Sequence, residues 1–482
     1  MISALMLQGT GSDVGKSVLC AGLCRALKNR GVNVHPFKPQ NMSNNAAVTV
    51  DGGEIGRAQA LQARACRLPL HTDMNPVLLK PQSETGAQVI VEGKVAGSAT
   101  AEEYQAMKPG LLNSVLESFE RVSVKSEIVV IEGAGSAAEV NLRKNDIANM
   151  GFAEAARVPV VLVGDIDRGG VIAQLVGTWV LLTEAERALT RGFIVNKFRG
   201  EASLFDSGRA VIKEETGIFD YGLVPWFDGA ASLPREDAFQ INTDAPDYEK
   251  IKIVVPTLSR IANFDDFDPL RAEPDVSVVM VKAGSALPGD ADLIVVPGSK
   301  ATIADIRFLK DQGWDIDIAA HVRRGGKVMG ICGGYQMLGR KVSDPEGIEG
   351  PPGEEQGLGL LDVEPVLSPE KRLAQITGRD LLTNTNITGF EMHMGVTSGY
   401  DTQRPMLELN SGVHGATSVN GMVSGAYVHG LFASDNFRLS FLRSLSPEVR
   451  SGIQYEARID AELDRLATHL ETNIDIDAML AG

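Results

Sequence analysis

Lys16 and Ser17 close a glycine-rich stretch, residues 9–17, GTGSDVGKS. Residue types in this order suit the holding of a polyphosphate. Gly11 and Gly15 let backbone N–H groups turn inward around phosphate oxygens. A helix starting near Gly15 aims its positive end at the same anion. Lys16 then bridges the β- and γ-phosphates, and the Ser17 hydroxyl ligates Mg²⁺. Five residues rather than the usual four separate Gly9 from Gly15, and Thr10 stands where a glycine is common. Glu132 ends an apolar run and precedes Gly133-Ala134-Gly135. A carboxylate there faces the glycine-rich turn and supplies a second hard oxygen for the cation. Asp51, ahead of an alanine-rich run, is a third candidate metal contact.

A different chemistry is written at residues 330–334, GICGG. Small residues on both sides of Cys332 permit the sharp strand-to-helix turn that exposes a nucleophile. The helix start behind it favours a thiolate. The Gly333 N–H offers one oxyanion donor, and the Gly298-Ser299 turn a second. His429, after the apolar run 424–428, is the candidate base. His393, between Met392 and Met394, is its competitor and reads as a packed residue. Leu431 stands two places after His429, where a glutamate would orient the ring, so His429 has no evident orienting carboxylate.

Three polar segments remain. In residues 38–45, KPQNMSNN, Lys38, Asn41 and Asn44 sit at the carboxyl end of a strand and suit a ligand bearing several carboxylates. Residues 141–150 gather Arg143, Lys144 and Asp146 where no helix or strand pattern holds, and Asp146 is a candidate substrate contact. Asn196 ends an apolar run and is a candidate reader of a nucleotide base; Arg199 occupies the place of a guanine-reading aspartate, which favours adenine.

The elements that must position these groups follow from the apolar runs. Runs at 2–7, 32–37, 127–131, 158–163 and 192–195 alternate with helical spacing and indicate a parallel sheet covered on both faces. Residues 237–250 are polar, contain Pro246 and read as a linker. Runs at 251–255, 293–296, 326–331 and 424–428 build a second α/β unit. The division is 1–236, linker 237–250, 251–440, and a helical segment 441–482 whose alternating charge suggests a solvated end.

With 482 residues, the chain has room for two or three domains. A net charge of −16 argues against nucleic-acid binding and against an anionic membrane surface. No apolar run reaches membrane-spanning length and no basic leader precedes the first strand, so the expected location is the cytoplasm. Cys20, Cys24, Cys66 and Cys332 lack metal or disulfide spacing.

The longer glycine-rich loop resembles the P-loop of dethiobiotin synthetase and its relatives, which phosphorylate carboxylates. Joined to a cysteine elbow and a late histidine, it makes nearly the whole chain resemble the cobyric acid synthase family, the glutamine-dependent amidotransferases of cobalamin biosynthesis. The most specific stretches are KPQNMSNN (38–45), NLRKNDIANMG (141–151), DIDRGG (165–170), MGICGGYQMLG (329–339) and YVHGLF (427–432). The resemblance implies an α/β protein: an N-terminal P-loop, dethiobiotin-synthetase-like parallel-sheet domain that binds ATP (1–236), and a C-terminal class I glutamine amidotransferase-like domain (251–440). It implies amidation of the b, d, e and g carboxylates of (adenosyl)cobyrinic acid a,c-diamide through acyl phosphates. Ammonia comes from glutamine, ATP and Mg²⁺ serve the synthetase site, and the corrinoid is a substrate rather than a cofactor. Two rivals stay open. One is the sister enzyme that amidates the a and c carboxylates, against which KPQNMSNN speaks. The other is a ParA/MinD-like regulatory ATPase with an inert second domain, against which Cys332 and His429 speak. The missing glutamate after His429 is shared with the cobyric and cobyrinic acid synthase branch.

Overall fold

The computed structural model describes residues 3–82, 86–234, 236, 250–450 and 452–481. Of the linker read at 237–250, only Lys250 lies within the described residues.

The first unit is built on six parallel strands: β1 (Ala4–Gly9), β2 (Val34–Phe37), β3 (Ile128–Glu132), β4 (Val160–Asp165), β5 (Thr190–Phe198) and β6 (Phe219–Pro225), in the order β6-β5-β4-β1-β3-β2. Alternation along β1 explains why both faces are covered. Leu5 and Leu7 enter one apolar core with the helix α1 (Lys16–Asn29), while Ala4 and Met6 enter another with Phe37 and Phe152. The carboxyl ends of β1 and β3 are neighbours, which brings the loop after Gly9 beside Glu132.

The second unit has its own sheet: β7 (Ile251–Pro256), β8 (Val276–Val281), β9 (Leu293–Val296), β10 (Lys327–Ile331), β11 (Ala416–Thr417) and β12 (Val423–Ala426), in the order β8-β7-β9-β10-β12-β11. All pairs are parallel except β12 with β11. The expected α/β architecture with a parallel sheet in each unit is therefore present.

Two features were not in the sequence reading. Residues 40–100 carry a four-stranded sheet containing Gln40–Met42, Val77–Pro81, Gly86–Val91 and Lys94–Thr100. A long antiparallel hairpin, Glu364–Asp380 with Asn386–Ser398, leaves the second unit and meets it. There Met392 packs with Ala46, Val48, Leu78 and Ile90. The tail also differs from the solvated end expected. The helix Tyr455–Asn473 buries Ile459, Leu463, Leu466 and Leu470 in the same core as α1, and the buried Arg25 of α1 donates to Asp460 at 2.7 Å. Those four residues recur every three to four positions, so one face is apolar while the charges lie on the other.

Candidate active sites

Gly15 takes φ +95° immediately before α1, and a Cβ there would lie 2.3 Å from Asn196 Nδ2. Only glycine suits that conformation and that approach. Asn196 donates to Val14 O at 2.8 Å, so the candidate base reader braces the loop from the end of β5. Lys16 reaches across to Gly135 O at 2.8 Å and to Gly11 O at 3.2 Å. Burial lowers its pKa, a bias that an anion in the loop would reverse. Thr10 Oγ1 donates to Gln174 at 3.4 Å.

Ser17 Oγ donates to Glu132 Oε1 at 2.7 Å. Glu132 is wholly buried at the end of β3 and also accepts from Lys38 Nζ at 2.8 Å and Gln62 Nε2 at 2.5 Å. Burial alone would raise its pKa, but Lys38, Ser17 and Lys16 outweigh that and hold it down. Lys38 is the mirror image: burial would lower its pKa, and Glu132 with Glu236 holds it high. The sequence assigned Lys38 to substrate; the structure gives it Glu132 as its first partner, still within the cleft.

That cleft, about 900 Å³, is lined by Ser17, Glu132, Asn41, Arg143, Asp146 and Trp226 among others. Asn41 also bonds to Glu236. Asp146 lines the cleft and caps the helix Met150–Ala156, accepting from Ala148 N at 2.8 Å and Gly151 N at 3.0 Å. Two of the expected residues lie outside this cleft. Asp51 is held away from the cleft by Thr72, whose Oγ1 donates to it at 2.6 Å, so it is not beside Ser17 and Glu132. Asn44 does not line the cleft either, and its Oδ1 is buried.

In the second unit Cys332 sits between β10 and the short helix Gly333–Met337 with φ +52°, a strained conformation for a side-chain-bearing residue. Its Sγ lies 3.4 Å from Met392 O. His429 is buried, and its Nδ1 is 2.7 Å from Asp266 Oδ2. The other oxygen of Asp266 accepts from Gly430 N at 2.7 Å. Burial would lower the His429 pKa; Asp266 first and Cys332 second overcome this and push it up to about 10. Asp266 is therefore the orienting carboxylate that the sequence reading did not find. A Cβ on Gly298 would stand 3.2 Å from His429 Cε1, and one on Gly333 would stand 2.8 Å from Ser299 N, so Gly298, Ser299, Gly333, Cys332 and His429 converge. The Ser299 hydroxyl is committed to Asp305 at 2.6 Å, leaving backbone N–H groups as the oxyanion donors. His393 is not beside the thiol but lies flat against Tyr427, with centroids 3.8 Å apart.

Comparison with known proteins covers both units. The CobQ/CobB/MinD/ParA nucleotide binding domain family matches residues 5–241, and the CobB/CobQ-like glutamine amidotransferase domain family matches residues 252–437. Cobyric acid synthase of Jannaschia sp. (strain CCS1) is 56% identical over 480 residues, covering 100% of this chain and 99% of the relative. Cobyric acid synthase of Paracoccus denitrificans (strain Pd 1222) is 58% identical over 480 residues with the same coverage.

Proposed function

The chain belongs to the cobyric acid synthase family and is a glutamine-dependent amidoligase, and on that premise we propose that it amidates the b, d, e and g carboxylates of (adenosyl)cobyrinic acid a,c-diamide to give (adenosyl)cobyric acid. The observation that carries the reading is a complete Cys332–His429–Asp266 set in the same chain as the Lys16–Ser17–Glu132 cleft. A regulatory ATPase with an inert second unit has no use for the first of these.

A carboxylate is a poor electrophile. Its oxygen attacks the γ-phosphorus of ATP, ADP leaves, and an acyl phosphate forms. Lys16 and the loop N–H groups hold the transferring phosphoryl oxygens. Ser17 Oγ and Glu132 Oε1, two hard oxygens 2.7 Å apart, fit Mg²⁺. Held by these two oxygens, the ion would neutralise charge on the phosphates. Ammonia then attacks the acyl carbon and phosphate departs.

In the second unit the Cys332 sulfur attacks the side-chain carboxamide of glutamine. Backbone N–H groups of Gly333 and the Gly298-Ser299 turn hold the oxyanion. The His429 imidazolium gives its proton to the departing nitrogen, and ammonia is released. Water, with His429 now as base, resolves the thioester to glutamate. Asp266 holds the ring through Nδ1, which keeps Nε2 for the sulfur and the leaving group.

The test is product analysis. With ATP, Mg²⁺, glutamine and cobyrinic acid a,c-diamide, chromatography should resolve corrinoids carrying one to four added amides. ATP hydrolysis with no amidated corrinoid would overturn the reading, and a product limited to the a and c positions would point to the sister reaction.

A further inference from the structure

His393 is left over by the chemistry above, and its surroundings are unlike those of an ordinary core histidine. Glu391 and His393 are two residues apart on the strand Asn386–Ser398, so they share one face. His414, at the end of the short strand Gly412–His414, meets them from another element. Glu391 Oε1 lies 3.1 Å from His414 Nε2 and 3.6 Å from His393 Nε2, and one donor atom from each of the three lies within 4.8 Å of the others. Ligands about 2.0–2.2 Å from one tetrahedral ion are themselves about 3.3–3.6 Å apart. The two distances from Glu391 Oε1, 3.1 and 3.6 Å, fall close to that range.

The hydrogen-bond account is incomplete in the way such a centre would explain. The His393 side chain is 8% exposed, and neither ring nitrogen has a hydrogen-bond partner. His414 Nδ1 is buried and unpartnered as well. Glu391 Oε1 stands just beyond hydrogen-bond reach of His393 Nε2, and a buried imidazole held only that loosely is unfavourable, because water is lost and little replaces it. Arg372 Nε donates to Glu391 Oε2 at 2.7 Å, occupying that oxygen and leaving Oε1 to the histidines. Two imidazoles and one carboxylate, with no thiolate, suit a borderline divalent ion rather than a soft one or a hard one.

We propose that Glu391, His393 and His414 bind one divalent transition-metal ion of the zinc class. The ion ties the Asn386–Ser398 strand to the Gly412–His414 strand, with water completing its coordination. Its place matters because the residue between two of the ligands, Met392, presents its carbonyl to the Cys332 sulfur at 3.4 Å. The ring stacked on His393, Tyr427, is two residues before His429. The metal would brace one wall of the glutaminase pocket without joining its chemistry.

The test uses full-length protein carrying Cys332→Ala, so that the thiol cannot be a ligand. The protein is stripped with a chelator, dialysed, and titrated with Zn²⁺ by calorimetry. Co²⁺ is then added, and its visible spectrum reports the coordination geometry. One equivalent per chain should bind, with a tetrahedral or five-coordinate Co²⁺ spectrum. Outer-sphere partners alone are worth about 10–100-fold in metal affinity, so His414→Ala should weaken binding by more than about 100-fold. Glu391→Gln should also weaken it. Should His393→Ala fail to fold, judged by circular dichroism, the more exposed His414→Ala decides. Failure to take up a stoichiometric equivalent, or unchanged affinity in His414→Ala, overturns the proposal.

Discussion

Asp266 precedes His429 by 163 residues in sequence and lies 2.7 Å from its ring. It raises the His429 pKa to about 10 against the pull of burial, so the imidazolium persists beside the sulfur across the physiological range. The sign is clear: the folded value exceeds the ordinary 6.5, so this stabilisation is complete below about pH 6.5 and is lost as pH rises through about 10. Asp266→Asn should therefore move the alkaline limb of the glutaminase profile to lower pH and slow iodoacetamide alkylation of Cys332 near neutrality. An unchanged pH profile would remove Asp266 from its role. Cys332→Ala should abolish glutamine-dependent amidation yet leave amidation from high ammonium at raised pH, because the sulfur only releases nitrogen. Lys16→Ala should lose both, since acyl phosphate formation fails; amidation by either route would contradict that. Lys16, Ser17, Glu132, Cys332 and His429 were legible because each ends or follows an apolar run, where α/β sheets present side chains. Asp266 was not legible. It belongs to a compact acidic turn, residues 263–268, NFDDFD, and no local spacing ties that turn to a histidine so far along the chain. Asp51 misled for the converse reason: a loop aspartate near glycines looks like a metal contact, but Thr72 was close enough to take it.

The two parallel sheets were readable as elements because buried strands give unbroken apolar runs. The sheet within residues 40–100 was not readable. Lys94–Thr100 is mostly exposed, and the apolar stretches of its neighbours, 77–79 and 89–91, are too brief to stand out beside the longer runs of the two parallel sheets. The long hairpin alternates charge with apolar residues and projects from its own unit, so its partner surface belongs to the other one. The tail was misjudged because charge was weighed without period. Its helix Tyr455–Asn473 supplies Leu470, fully buried against α1, the helix whose start holds the phosphate loop. Leu470→Ala should cost about 2–5 kcal/mol by transfer and cavity terms. Thermal unfolding should show it as a lowered midpoint, with loss of ATP-dependent amidation on warming before loss of glutaminase. A midpoint equal to that of the parent protein would mean that the tail helix contributes nothing to the first unit.

Across the whole molecule the hairpin of the second unit reaches into the first. Glu54 and Lys80 come from the first unit and Lys371 from the hairpin of the second; all three are buried together, with Lys80 Nζ 2.8 Å from Glu54 and 3.5 Å from Met392 Sδ. Burial would raise the Glu54 pKa, but Lys371 and Lys80 hold it to about 2, while burial pulls Lys371 down to about 7, so the Glu54 carboxylate persists and its ion pair with Lys371 weakens as pH rises through about 7. Met392 thus touches the Cys332 thiol through its carbonyl and the first unit through its side chain. The cleft holds one Lys16–Ser17 loop among the described residues, and on the proposed reaction that loop is where the γ-phosphoryl group is transferred. Four carboxylates distributed around a corrin ring cannot all reach that place in one pose. On the proposed reaction we expect the ring to leave and return in a new orientation for each amide. Partly amidated corrinoids should therefore accumulate free in solution during turnover, and a large excess of unlabelled a,c-diamide added mid-reaction should trap labelled intermediates outside the enzyme. One ATP should be consumed per amide. Rapid gel filtration followed by chromatography separates free from bound corrinoid at each time point. Intermediates that stay bound until all four amides are in place would leave the amidase and ligase chemistry intact, but would require the ring to turn within the cleft rather than leave it.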